Sequence, residues 1–229
     1  MEEKLFLAQN VQLLSQEKNS ALIGIKGLYP GYGITIGNAL RRVLLSSIPG
    51  AAITTVKIEG VLHEFSTLPG VLEDMVELTL NLKQVRVQMF TSEPQELILE
   101  AKGEGEVKAG DIKTPANCKI VNPELHIATL TDKKAQLKIV MKVEKGIGFV
   151  PAEEIRKKSS ESNVIFLDAI FSPIKKVNFE IENMIVGGRT DYNFLKLYIE
   201  TDGTIDPLDA YNQAIEILMK QLSIIKLGK

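Results

Sequence analysis

The chain predicts an α+β protein, on three observations. Apolar residues recur at helical spacing over residues 36–47. They do so again, more strongly, from Leu208 to Ile225. Between these stretches, from about 51 to 150, the pattern is mostly the period-two alternation of strands. The length, 229 residues, is about one and a half domains at roughly 150 residues each, which suits one large domain or two unequal ones.

The elements follow in order. Residues 20–28 alternate through Ala21, Ile23 and Ile25 and read as a strand. Tyr29-Pro30-Gly31-Tyr32-Gly33 is a turn by its Pro and Gly content. Ile36, Leu40, Val43, Leu44 and Ser47 then mark one helix face, started by Thr35 or Gly37 and stopped at Ile48-Pro49-Gly50. Strands are expected at 53–58, 82–89, 97–101, 125–130 and 137–143. A helix over 71–80 would turn Leu72, Met75, Val76 and Thr79 inward and Glu73, Asp74 and Glu77 outward. Residues 157–163 are polar and read as a mobile loop. Strands at 179–186 and 195–201 flank Gly187-Gly188-Arg189-Thr190-Asp191, a hairpin connection.

The last helix has the strongest signal. Asp206 is its N-cap, Pro207 its first residue and Asp209 an acid in its first turn. Leu208, Tyr211, Ile215, Leu218, Leu222 and Ile225 follow the spacing of a helix–helix seam. A second stripe, Ala210, Ala214, Ile217 and Ile224, lies beside the first. Together they cover about half the circumference, more than the roughly 100° one packed face requires. Such a helix has two partners: its own domain and something else.

Composition narrows the function. The balance of 27 basic against 29 acidic residues leaves a net charge of −2, without the basic excess that phosphate contacts favour. Cys118 is a lone cysteine, so no intrachain disulfide forms, and a reducing compartment fits. The start, Met1-Glu2-Glu3-Lys4, is no signal peptide, and no apolar run approaches the ~18 residues of a membrane span. A cytoplasmic protein without membrane contact is expected.

Catalytic and metal candidates are sparse. With only His63, His126 and Cys118, a His/Cys metal site and the Ser-His and Cys-His nucleophile pairs lack candidates. His63-Glu64 opens like a zinc-protease motif, but residue 67 is Thr. Gly31, Gly33 and Gly37 precede a helix, yet their spacing departs from the phosphate-binding patterns and no Lys-Ser or Lys-Thr follows. A small-ligand or nucleotide-binding domain using that turn is the alternative reading; ordinary turn glycines are the plainer one. Glu73, Asp74 and Glu77 could act as hydrolytic acids, but on an amphipathic helix they suit a solvated face or a basic partner. Arg41 and Arg42 point away from the Leu40/Val43/Leu44 face, beside Leu45, as a solvated pair or a protein-contact patch. Lys175-Lys176 is too small a cluster to argue DNA binding.

Longer blocks carry a resemblance. Residues 37–50 (GNALRRVLLSSIPG) are similar to the signature of the bacterial RNA polymerase α subunits. Residues 60–67 (GVLHEFST) with 81–83 (NLK), then 148–152 (GFVPA), 168–173 (DAIFSP) and 203–207 (GTIDP), resemble that family's later blocks in the right order, so the likeness spans essentially the whole chain. It implies a discontinuous dimerisation subdomain, 1–48 with 173–229, and an inserted β-rich subdomain, 49–172, that meets the large subunits. It implies a homodimer packed through the 38–47 helix and the C-terminal helix, with Leu40, Leu44, Leu208, Tyr211, Ile215, Leu218, Leu222 and Ile225 at the contact. The dimer would recruit the β and β′ subunits, whose own residues do the catalysis and hold the Mg²⁺. This chain would then need no cofactor and no metal. By motif position, Arg42 with Leu45, then His63, Glu77 and Lys83, then Asp168, Ser172 and Pro173 fall to large-subunit contact. Members of the family commonly continue through a linker into a domain that touches upstream DNA and activators. The sequence here runs to Lys229, just past the dimerisation helix, so no direct DNA contact is expected of these residues.

Overall fold

A computed structural model describes residues 8, 10–61, 66–159 and 163–225. In chain order the first elements are β1 (Asn10–Gln16), β2 (Ser20–Leu28), α1 (Tyr32–Ser47) and β3 (Pro49–Ile58). Next come α2 (Met75–Lys83), β4 (Val87–Met89), β5 (Gln95–Lys102), β6 (Gly105–Lys108) and β7 (Ile112–Lys113). They are followed by β8 (Cys118–Ile120), β9 (His126–Leu130), β10 (Gln136–Ile147), β11 (Phe149–Val150) and α3 (Ala152–Lys158). The last are β12 (Ile165–Phe166), β13 (Ala169–Ile170), β14 (Ile174–Val186), β15 (Arg189–Thr201) and α4 (Pro207–Ile224). The fold class is α+β, as expected. The chain divides into two compact units, Met1–Ile48 with Ser172–Lys229 and Pro49–Phe171.

The first unit is a four-stranded antiparallel sheet in the order β1-β2-β15-β14, with α1 and α4 packed on it. Alternation puts Ile23 and Ile25 of β2 and Leu195, Leu197 and Ile199 of β15 on the face the helices cover, where they form one core with Leu40, Leu44, Ala210 and Ala214. β14 and β15 are joined by Gly187 and Gly188 alone, at φ 58° and 86°. Two successive left-handed residues are what a tight hairpin with the native strand twist requires. Arg189 already pairs with Val186, so the strand begins earlier than the sequence pattern implies.

α1 starts at Tyr32, before either expected start. Its N-cap, Gly31, is left-handed at φ 86° and has no capping side chain of its own. Asn193 of β15 supplies the cap: its Oδ1 accepts from the Gly31 N–H at 3.0 Å and the Gly33 N–H at 3.2 Å. Phe179 of β14 lies so close to Gly37 that a Cβ there would sit 2.8 Å from the ring. Gly33, whose Cβ would sit 3.0 Å from Asn193, and Gly37 thus serve the packing of α1 on its sheet.

The second unit is built on a five-stranded sheet, β12-β3-β10-β5-β7, with β4–β8, β6–β9 and β11–β13 as separate pairs. Its core gathers Leu78 and Leu82 of α2 with Leu97, Leu99, Ile139, Met141 and Val143 of the sheet. α2 departs from its expected bounds at both ends. The Asp74 carboxylate accepts from the Glu77 N–H at 2.7 Å and so sets the N-cap. Upstream, Leu72 N–H donates to Thr129 and Val71 bridges to Leu130, so these residues belong to a sheet edge. Downstream, Leu82 and Lys83 close the helix rather than open a strand, which is confined to Val87–Met89. Leu72 and Val76, expected inward, are exposed. α3 is a helix that the sequence pattern did not announce.

Candidate assembly surfaces

In the first unit, α4 divides along its length. Asp206 caps it by accepting from the Leu208 N–H at 2.8 Å, and Pro207 is its first residue, as the sequence indicates. Ala210, Tyr211 and Ala214 are buried, and Leu208, Ile215 and Leu218 pack against the same core. Toward its end the apolar side chains are solvent-facing: Met219 65%, Leu222 62%, Ile224 76% and Ile225 74% exposed. The seam thus runs from the protomer's own core onto an open apolar surface. Leu40 and Leu44 of α1 are 2% and 0% exposed, and Tyr211 is 8%. These three, expected at a dimer contact, pack into the core of the first unit itself, where α1 lies against β14, β15 and α4, while Ile36, Val43 and Ser47 of the α1 stripe stay half-buried.

Arg42 and Leu45 lie on the exposed side of α1. Arg42 has no carboxylate within 4 Å among the described residues. The Ser172 hydroxyl donates to the Leu45 carbonyl at 3.4 Å, which brings two residues of separate sequence blocks together. Pro173, expected on a contact surface, is buried, and its carbonyl accepts from the Asp202 N–H at 2.9 Å. It fixes the entry to β14 instead.

In the second unit, Lys83 and Asp168 meet each other. Lys83 Nζ donates to Asp168 Oδ2 at 3.0 Å, and Asp168 Oδ1 accepts from the Ala152 N–H at 2.9 Å. The Ala152 amide, then the Lys83 ammonium, hold the Asp168 carboxyl below its ordinary range. The pair ties the end of α2 to the start of α3, so its geometry orients these two helices within the unit. Glu77 is exposed on α2. His63 lies outside the described residues.

Glu73 is not the solvated acid of the sequence reading. Its side chain is 10% exposed, accepts from the Thr129 N–H at 2.7 Å and from the Thr129 hydroxyl at 3.2 Å, and lies 2.8 Å from His126 Nε2. The other ring nitrogen of His126, Nδ1, is 3.2 Å from Glu106. Burial opposes ionisation of Glu73, but the Thr129 and His126 bonds hold its carboxyl below the ordinary value. Glu73, then Glu106, raise the His126 ring above its own. No sequence signal pointed to this cluster, whose members come from three segments. Among the described residues no group of three or more His, Cys, Asp or Glu side chains is placed to hold a metal ion. No described helix is long and apolar enough to cross a membrane. At the Gly31–Gly37 turn, the backbone N–H groups that would cradle a phosphate are already bonded to Asn193.

Comparison with known proteins adds the family. Residues 56–172 match the RNA polymerase Rpb3/RpoA insert domain. The DNA-directed RNA polymerase subunit alpha of Symbiobacterium thermophilum is 50% identical over 212 residues, 93% of this chain and 67% of that protein. Those of Desulfitobacterium hafniense and Roseiflexus castenholzii are 49% and 46% identical, over 92% of this chain in each case and 66% and 64% of theirs. The chain spans about two thirds of the length of these relatives. With half its residues in the insert-domain match and such identity across nine-tenths of its length, the chain belongs to the family of DNA-directed RNA polymerase alpha subunits.

Proposed function

We propose that this chain is a non-catalytic assembly scaffold of DNA-directed RNA polymerase. It forms a homodimer through the first unit and then recruits the β and β′ subunits, mainly one per protomer, in the cytoplasm. The open apolar end of α4 carries this reading: four large side chains within its last turns, each more than 60% exposed, adjoin a helix face already engaged in the core. A second copy offers the same surface, and a two-fold contact uses it twice and closes. Arg42 and Leu45 on the exposed side of α1 and Glu77 on α2 face the large subunits, while Lys83 and Asp168 position the segments around them. Nucleotide chemistry and its metal sit on the large subunits, and direct DNA contact is left to other regions, in keeping with the net charge of −2.

The test is assembly state. Analytical ultracentrifugation at micromolar concentration is expected to give a dimer, and Leu222→Asp a folded monomer. Leu222 is chosen because it is 62% exposed, whereas Leu218 packs on its own core and would confuse unfolding with dissociation. Burying several such side chains at roughly 25 cal/mol per Å² makes the loss readily measurable. A Leu222→Asp chain that remains a tight dimer overturns the role of α4. In the same preparation Arg42→Ala keeps the dimer and recovers less β subunit; undiminished recovery removes Arg42 from that contact.

A further inference from the structure

Strand β10 of the second unit turns Ile139, Met141 and Val143 into the core, so Lys138, Val140 and Lys142 face away from it. At one end of this outward face the charges are matched. Lys138 Nζ lies 3.9 Å from both Glu59 and Glu100, and Lys113 donates to Glu100 at 2.7 Å. Beyond Val140 the pattern changes. Two cavities, of about 380 and about 350 Å³, adjoin there and share Thr55 and Lys142 in their lining. The first is lined by Lys57 and its cross-strand partner Val140, with Pro94 and Val164. The second continues past Gly146 to Lys145 and Lys158.

Among the described residues the trough carries four lysines against two glutamates, Glu96 and Glu144. Lys142 has Glu144 at 3.6 Å. Lys57, Lys145 and Lys158 have no carboxylate within 4 Å among the described residues. We propose that this trough binds an extended acidic segment of a partner protein, with carboxylates on the three unpaired ammonium groups and alternate apolar side chains on the floor. The floor decides between two kinds of polyanion. A single-stranded nucleic acid site offers aromatic faces for its bases. The one aromatic among the described residues lining the trough, Phe171, is 6% exposed and packed so tightly on Gly146 that a Cβ there would lie 2.6 Å from its ring. Val140, Val164 and Pro94 suit aliphatic side chains instead. None of the residues assigned above to dimer or large-subunit contact lines the trough, so this inference stands apart from the assembly reading.

The experiment is fluorescence anisotropy of the full chain with a fluorescein-labelled peptide alternating Glu and Val. A peptide alternating Lys and Val and a single-stranded RNA oligonucleotide serve as rivals. The acidic peptide is expected to bind best, and more weakly as salt is raised. The exposed pair Lys57→Glu and Lys145→Glu should weaken it roughly tenfold or more, while Lys119→Glu, outside the trough, leaves it unchanged. Circular dichroism checks that both variants are folded. Absence of binding by the acidic peptide, preference for RNA or the basic peptide, or equal affinity in the Lys57/Lys145 variant each overturns the proposal.

Discussion

His126 stands between two carboxylates, and only its doubly protonated ring donates to Glu73 and Glu106 together. Lys108 also reaches toward Glu106, at 3.9 Å, and is bonded to Glu124 at 3.1 Å, so the Glu73 side of the ring is the firmer one. Because the folded state raises the His126 value, its contribution is complete below about pH 6.5 and is lost as pH climbs through the raised value. Glu73 behaves oppositely: its lowered value gives stability above about pH 4.5 that is lost as pH falls. The cluster is therefore strongest in mild acid. Thermal melts of the parent and of His126→Gln should differ most there and converge in mild alkali. The ring is 39% exposed, so the largest gap is about 1 kcal/mol. A gap independent of pH would mean that the ring acts by packing. None of this was legible in the sequence. Glu73 and His126 are 53 residues apart, and an acid beside a helix start reads equally well as solvated.

Elements were legible where the local pattern was self-sufficient. α4 carries its own N-cap, its first-turn proline and an unbroken stripe, and it forms where those features place it. The Gly187-Gly188 hairpin is likewise local. α1 was legible as a helix but not in its start, because the cap comes from Asn193, 162 residues beyond Gly31. α2 shifted because Asp74, read as one acid of a face, is its N-cap. The stripe on α1 identified Leu40 and Leu44 as apolar contact residues without telling an intrachain neighbour from a second copy; periodicity reports that a face is covered, not by what. The Asn193 cap makes a direct prediction. Asn193→Ala leaves two N–H groups of the first turn of α1 without their acceptor at a site only 8% exposed. A loss of about 1–3 kcal/mol in denaturant unfolding is expected, with faster amide exchange confined to the first turn. Unchanged exchange at Gly33 would show that the amide cap is dispensable.

At the scale of the molecule, each unit has its own apolar core. The continuous one is expected to be autonomous: residues 49–171 made alone should give a cooperative thermal transition by circular dichroism, whereas a gradual loss of signal would mean its core is insufficient. The other unit is drawn from both ends of the chain, and this bears on how the protein is made. On the ribosome, β2 emerges paired only with β1, its second edge open, and the start of α1 emerges without Asn193. Both wait while the whole of 49–171 is synthesised, and that stretch can condense on its own in the interval. Only when β15 appears does the first sheet acquire its remaining strands and α1 its cap, with α4 and its apolar end following it. The apolar end of α4 thus follows every strand of its sheet in the order of synthesis, so a nascent chain exposes it only after the strands beneath it have been made.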